Sequence, residues 1–543
     1  MRTTIVCLAV AFMVVGNVLL QAQNSMPTMQ TFFGQYEGSR LGESLSALDF
    51  NADGYDDLVI FASKQDINQL PAVNVYFGGV VLDTIPDLVW QCQYQYQISK
   101  SFIMACGDVN NDGFEDLMLN EYFPTSVDSM MVHFCYGGPQ PDLIPDHSIV
   151  IPRTSSYLEL YILGAIGDVN NDGYNDFGCR SLLNFDSMHP RLEIMLGGIW
   201  QRVMIGDQSY RRWGTVTGVG DVNNDGIDDF IVGYASEVSE GLECYRYLYY
   251  GENNLDLDNR VLLYSTLSTD QYFCGAFGVG DFNNDGYDDF IYCTGDSYMD
   301  GNKLRLGGPD ITQTEEITLH SETYHNLMSM DLTKPVWGDF NGDNCMDIAG
   351  ANYEDSLWDG VVGLWLGKTT PNGDYDLRLL PPPTSPYHQF GKALAAGDFN
   401  GDGYDDLAVS APFAQSGSTW YHGYVYVYSG NPQLQDTTVA MNDPINEDSY
   451  DALAIEFFPN PCIGSETVAV SFRINEITLQ TQSRVKITLY NIKGQKSTIY
   501  TLTESDLKSK QGIIPIGDLA TGVYIAICFI DDRKVSVKKL TVL

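Results

Sequence analysis

The sequence predicts an all-β chain, a seven-bladed β-propeller followed by a small immunoglobulin-like β-sandwich. Three observations predict it. A loop of the form D-x-N-x-D-G-x-x-D occurs seven times in close variants, starting at Asp49, Asp108, Asp168, Asp221, Asp281, Asp339 and Asp398, in steps of 59, 60, 53, 60, 58 and 59 residues. A strand-like run ending in glycine follows each loop. The charge balance then changes abruptly: residues 1–452 hold 18 Lys and Arg against 63 Asp and Glu, a net of −45, and residues 453–543 hold 11 against 8, a net of +3. A fixed long period signals repeat architecture, and a charge shift of that size marks a domain boundary.

Composition suits such a fold. Of 543 residues, 44 % are hydrophobic and 12 % aromatic, enough apolar surface for large cores. The 52 glycines fit many short strands and tight turns. A formal charge of −42 disfavours nucleic acid and anionic membrane surfaces as partners and favours cations, basic surfaces or neutral ligands such as glycans.

Residues 1–22 read as a secretory signal peptide: Arg2, an apolar run from Ile5 to Leu20, then "LLQAQ" with cleavage expected after Ala22. The run is short for a bilayer span, and no other stretch is long and apolar enough for one. The ten remaining cysteines are scattered without metal-type spacing and read as small buried thiols, with one or two bridges left open by an oxidising compartment.

The loops carry the chemistry. Positions 1, 3, 5, 7 and 9 are, in turn, Asp49, Asn51, Asp53, Tyr55 and Asp57; Asp108, Asn110, Asp112, Phe114 and Asp116; Asp168, Asn170, Asp172, Tyr174 and Asp176; Asp221, Asn223, Asp225, Ile227 and Asp229; Asp281, Asn283, Asp285, Tyr287 and Asp289; Asp339, Asn341, Asp343, Cys345 and Asp347; Asp398, Asn400, Asp402, Tyr404 and Asp406. Side-chain oxygens at 1, 3, 5 and 9 and a backbone carbonyl at 7 make a shell for Ca2+, which takes six to eight oxygens at ~2.3–2.6 Å. Glycine at position 6 permits the sharp turn. An EF-hand would need Glu at position 12, where this chain has Ile60, Leu119, Cys179, Val232, Tyr292, Gly350 and Val409. Short β-type runs such as "DLVIFA" follow the loops, so each site is expected in a β-hairpin, up to seven ions in all. The sixth loop has Asn344 in place of glycine and is expected to be the weakest site.

The glycine landmarks are "VYFGG", "FCYGG", "IMLGG", "LYYGE", "LRLGG", "LWLGK" and "VYVYSG". Each reads as a third strand with its turn and leaves room for a fourth, and four-stranded units repeated radially make a propeller. Ahead of three loops stand Leu41-Gly42, Trp213-Gly214 and Phe390-Gly391, and "SAP" (Ser410 to Pro412) follows the last. Trp213 and Phe390 read as core residues.

Over about residues 30–435 these marks resemble the FG-GAP repeat of integrin α-chain propellers and many bacterial surface proteins. The resemblance implies seven blades with calcium in the blade hairpins on one face and ligand binding on the other. This chain departs from the integrin pattern in having a calcium-type loop in every blade, no room for an inserted adhesion domain, and no RGD or DxSxS motif. On the opposite face the candidate ligand contacts are Trp90, Tyr94, Tyr96, Tyr210, Arg211, Arg212, Tyr272, Tyr387 and His388, in aromatic loops suited to glycan stacking or protein contacts; packing between blades is the competing role for these rings.

The boundaries follow: propeller 23–435, linker 436–452, terminal domain 453–543. Two readings stay open for residues 431–452, a linker throughout or a source of the last strand of blade seven. After Leu453 about seven short strand-like runs suit a β-sandwich. "FFPNPC", "LYNIKGQ", "LATGVYIA" and the terminal "KKLTVL" resemble the C-terminal sorting domain of the type IX secretion system. That resemblance implies export to the surface of a Bacteroidetes-like bacterium and a partnership with the secretion machinery.

The seven histidines form no HExxH or spaced cluster, and GxSxG and P-loop motifs are absent from the sequence. The expectation is a secreted binding or adhesion module for a glycan or protein, with no catalytic residues. The alternatives are a propeller-based polysaccharide hydrolase or lyase, and a surface-layer protein with no specific ligand.

Overall fold

A computed structural model describes residues 26–64, 70–92, 103–123, 129–152, 161–181, 191–205, 211–238, 241–268, 276–293, 302–320, 334–353, 360–381, 389–414 and 421–434, then 454–458, 468–473, 485–491, 496–501, 511–514, 522–530 and 533–542. The expected signal peptide and linker lie outside the described residues. The chain divides into two compact units, Met1–Thr438 and Val439–Leu543. Every regular element among the described residues is a strand.

The first unit contains seven four-stranded antiparallel sheets. Blade one shows the plan: β2 (Leu45–Leu48), β3 (Asp57–Ala62), β4 (Ala72–Tyr76) and β5 (Leu88–Gln91) pair in that order. The acidic loop joins the first two strands, and the glycine landmark ends the third. In an antiparallel meander both turns fall at the same end of the blade. The other end carries the turn between the second and third strands and the crossing to the next blade.

The second strands are unbroken apolar runs because both faces are covered. All six residues of β3 are buried. Leu58, Ile60 and Ala62 pack toward blade seven, whereas Val59 and Phe61 pack toward blade two. This alternation repeats around the molecule. Seven hydrophobic clusters each draw on two adjacent blades, one for every seam. The core is therefore a set of seams between sheets, as a propeller requires.

The ring closes through the N-terminus. The last blade contains Leu394–Gly397, Asp406–Ala411 and Tyr424–Tyr428, and its fourth strand is β1 (Thr28–Phe33). Phe32 pairs with Val425, and Thr31 with Tyr426. The fourth strand thus comes from the start of the propeller, which corrects the reading that drew it from residues 431–452. Hydrogen bonds extend the splice beyond the ladder: Gly34 N–H donates to Gly423 O (3.0 Å) and Ser429 N–H to Pro27 O (2.9 Å).

The six cysteines with described side chains, Cys92, Cys106, Cys135, Cys179, Cys244 and Cys345, are buried thiols with no disulfide among them. Phe390 is fully buried, as expected, while the Trp213 side chain lies outside the described set. The second unit contains a three-stranded and a four-stranded antiparallel sheet, seven strands in all.

Phe32 tests the splice. Its ring is 2 % exposed and meets Tyr76 edge-on at 4.7 Å, whereas Phe33 beside it is 59 % exposed. Phe32→Ala is expected to lower unfolding stability by about 3–5 kcal/mol. Phe33→Ala should change it by less than about 0.5 kcal/mol. Urea unfolding of the two variants reads the difference.

Candidate metal centres

Each loop is a compact knot of backbone N–H groups around aspartate oxygens. In loop one, Asp53 and Gly54 N–H donate to the two carboxylate oxygens of Asp49 (3.1 and 3.0 Å). Asp53 N–H is shared with Asn51 Oδ1 (2.9 Å), and Tyr55 N–H donates to Asp53 Oδ1 (3.0 Å). The same set recurs in loops two to six. In loop seven Asp398 and Asp402 keep their roles, but the Asn400 amide turns to Asp406.

Position 6 adopts a left-handed backbone throughout, with φ between 85° and 90° at the six glycines. Asn344 takes the same conformation at φ 65°, and its N–H donates to Asp339 Oδ2 (2.9 Å) just as the glycines do. The sixth loop therefore keeps the shared backbone. Position 4 is left-handed as well, which explains Asn111, Asn171, Asn224, Asn284, Gly342 and Gly401 but not Ala52, at φ 59°.

The carboxylate at position 9 has a structural role that the spacing alone does not reveal. All seven of these aspartates are 0 % exposed. In loop one, Asp57 Oδ2 accepts Phe50 N–H (3.1 Å) and Oδ1 accepts Gly78 N–H (2.8 Å). Gly78 is the first glycine of the landmark. Its counterparts Gly137, Gly197, Gly251, Gly307, Gly367 and Gly430 donate to the position-9 aspartates of their own blades. Each is glycine for a steric reason: an added Cβ would lie 2.1–2.5 Å from the position-8 carbonyl oxygen. Position 2 is always Phe or Val and is buried, from Phe50 to Phe399, plugging the loop into its seam.

Burial raises the position-9 acids against these N–H donors, and the carboxylates at positions 5 and 1 add to the rise. Asp57, Asp116, Asp176 and Asp406 reach about 7, and Asp229, Asp289 and Asp347 about 8.

Position 8 links neighbouring loops. Its side-chain carboxylate accepts the N–H of residue 1 in the preceding loop at five junctions: Glu115 from Asp49 (3.1 Å), Asp228 from Asp168 (2.9 Å), Asp288 from Asp221 (2.9 Å), Asp405 from Asp339 (2.7 Å) and Asp56 from Asp398 (2.8 Å). Its own N–H donates to the carbonyl of that same residue 1 at five junctions, including those of Asn175 with Asp108 (2.9 Å) and Met346 with Asp281 (2.9 Å). Every junction has at least one of these bonds, and the Asp398–Asp56 pair joins the last loop to the first. A sequence signal existed: the acidic doublets ending at Asp57, Asp116, Asp229, Asp289 and Asp406.

Among the described residues no group of three or more His, Cys, Asp and Glu side chains is arranged to hold a metal ion. The donors available in a loop are of mixed type: carboxylates at 1 and 5, an amide oxygen at 3, a backbone carbonyl at 7, and the buried carboxylate at 9. The position-9 acid has about four lone-pair sites. In loop one Oδ2 accepts two N–H groups, from Phe50 and Asn51, and Oδ1 keeps capacity beyond the one it accepts from Gly78.

The expected ligand contacts are less well placed. Trp90 lies in outer strand β5, opposite Val73, and meets His133 of blade two edge-on at 5.8 Å. Its ring packs at a seam, because a strand and not a loop carries it. Arg211 and Arg212 open the first strand of blade four, opposite Ser236 and Ala235. Tyr94, Tyr96, Tyr210, Tyr272, Tyr387 and His388 lie outside the described residues.

Comparison with known proteins agrees with this geometry. The FG-GAP repeat family matches residues 41–81 and 390–428, the two blades on either side of the ring splice. The secretion system C-terminal sorting domain family matches residues 456–543. Integrin alpha-5 of Xenopus laevis is 28 % identical over 30 % of this chain and 16 % of the integrin. Integrin alpha-PS3 of Drosophila melanogaster is 31 % identical over 20 % of this chain and 10 % of its own length. Phosphatidylinositol-glycan-specific phospholipase D of Mus musculus is 56 % identical over 9 % of this chain and 6 % of its own. The chain spans under a fifth of the length of each of these relatives. It is a seven-bladed propeller protein with FG-GAP repeats, similar to integrin α-chains in that part. It ends in a type IX secretion sorting domain, which directs it out of the cell or to the outer-membrane surface of a Bacteroidetes-like bacterium.

Two predictions follow from the loops. Gly78→Ala would drive its Cβ to 2.3 Å from Asp56 O, while Gly79 faces open space. Thermal unfolding should show Gly78→Ala losing about 1–3 kcal/mol, with Gly79→Ala close to wild type. The second concerns pH in chelator. The position-9 acids have folded pKa values above their ordinary 3.8. Their stabilising contribution is full below that value and is lost as pH rises through about 7 to 8. The melting temperature in chelator is therefore expected to fall between pH 5 and pH 8; a flat or rising profile contradicts the assignment.

Proposed function

We propose that this protein is a secreted or surface-held adhesion module whose acidic loops hold calcium and whose opposite face binds an extracellular glycan or protein. The observation that carries the reading is the sevenfold recurrence of one oxygen-donor loop. In six loops the oxygens of residues 1 and 3 meet at a single N–H, that of residue 5. An all-oxygen donor set with flexible geometry fits a hard divalent cation, calcium ahead of magnesium. Loop six has the Cys345 thiol beside Asp343, and the other six loops offer no soft ligand for zinc or copper. Asp, Asn and Asp at positions 1, 3 and 5, the carbonyl at 7 and Asp at 9 would hold the ion. A bound ion neutralises carboxylates that otherwise repel one another in a partly buried setting. Similarity to integrin α-chains supports the adhesive role, and the sorting domain supports display outside the cell with the secretion machinery as a partner.

In this reading the chain carries no catalytic site. The aspartates that dominate the acidic face serve as cation ligands, and an ion bound in the loop holds them charged, which makes them poor proton donors.

Chelation tests the structural half of the proposal. Removing divalent cations from the full chain should lower its melting temperature, and millimolar calcium should restore it, because an ion that binds the folded state alone stabilises by mass action. Melting that ignores both chelator and calcium would remove calcium from the account. A glycan array probed with the calcium-loaded protein tests the binding half. Captured glycan that stays intact supports a binding module; captured glycan that is cut replaces it with an enzyme.

A further inference from the structure

We propose that the residue at position 8 of each loop is a coupling element that passes order from one loop to its neighbour, making divalent-cation binding cooperative around the ring. The proposal rests on the cation reading above and concerns how those loops communicate.

The geometry is clearest at Asp221 and Asp288. Asp221 N–H donates to the Asp288 carboxylate (2.9 Å), and Asp288 N–H donates to Asp221 O (3.1 Å). The pair is reciprocal: the Asp288 side chain holds the Asp221 N–H, and the Asp288 backbone N–H holds the Asp221 carbonyl. Residue 1 is the first oxygen donor of its loop. Residue 8 stands between the carbonyl donor at 7 and the buried acid at 9. A cation that fixes residues 7 and 9 of loop five therefore fixes Asp288, which in turn holds the backbone of Asp221 in loop four.

Neighbouring loops also touch through other atoms. The Tyr404 ring covers Gly342 of the preceding loop, and the Tyr55 ring covers Gly401. The chain of contacts has no free end, because Asp398 N–H donates to Asp56 (2.8 Å) across the splice. A contiguous hydrogen-bonded network of this kind offers a physical route for two sites to bias one another. An ion entering one loop leaves less ordering for the ion that enters the next, which is positive cooperativity.

The test is calcium titration of the full chain by calorimetry, comparing wild type, Asp288→Ala and Asp288→Asn, with amide hydrogen exchange read over loop four. Wild type is expected to bind more steeply than independent sites, with a Hill coefficient of about 2 or more. Asp288→Ala should flatten the isotherm and speed exchange at Asp221 by about 5-fold or more at saturating calcium. Asp288→Asn keeps an acceptor and should retain the coupling. If Asp288→Ala fails to fold, Asp405→Ala gives the same reading at loop six. Calcium binding with a Hill coefficient of one in wild type, or an isotherm unchanged in the alanine variant, overturns the coupling and leaves the cation reading standing. No calcium binding at all overturns both.

Discussion

The structure depends on one buried carboxylate, repeated seven times. The aspartate at position 9 lies at the start of the second strand, inside the seam, with no exposed surface. It accepts an N–H from its own loop and another from the glycine turn that ends the third strand. Without it, two buried backbone donors in each blade would lack a partner, at a cost of roughly 1–3 kcal/mol each. The same carboxylate makes the acidic loop and the glycine landmark parts of one device. The loop shapes a turn, the carboxylate ties that turn to the third strand, and the glycine lets the tie be short.

Ring geometry follows from how these devices meet. Residue 2 of every loop plugs a seam, and residue 8 bonds back to the previous loop. The residue after the landmark glycine adds a third tie, as when Gly79 N–H donates to Phe399 O and Gly308 N–H to Val222 O. Each blade is thus fastened to its predecessor on the acidic face by polar contacts, and through its thickness by apolar ones. The first blade is fastened to the last in the same way, with β1 completing the sheet. The acidic face is a closed polar network on a fold whose core is divided among seven seams.

Much of this was legible in the sequence, and what was missed has physical causes. The repeat period, the donor positions and the third strands stood out because they recur in register. Position 2 was passed over as a variable position, although Phe50, Val109 and Phe282 share an apolar character that only burial explains. Position 8 was hidden beside the more obvious position 9, since an acidic doublet looks like one feature until the two side chains are seen to point to different partners. Position 4 has no side-chain chemistry to mark it in the sequence; its left-handed φ shows why Asn or Gly stands at six of the seven positions. First strands such as Ile103–Ala105 and Val336–Gly338 have three residues, too few to show a period. Ring closure by β1 left no local mark, because its partner strand begins at Tyr424, nearly four hundred residues along the chain. Aromatic residues look alike in sequence whether they pack or bind; Trp90, half-buried at the seam between blades one and two, is the expected ring contact that falls among the described residues.

The chemistry proposed for the acidic loops is that each is built around a divalent ion. Its most direct measurement is the number of calcium ions retained per chain after equilibrium dialysis at millimolar free calcium, read by elemental analysis. A value approaching seven is expected, one ion for each loop. A chain that retains none, while remaining folded, contradicts it.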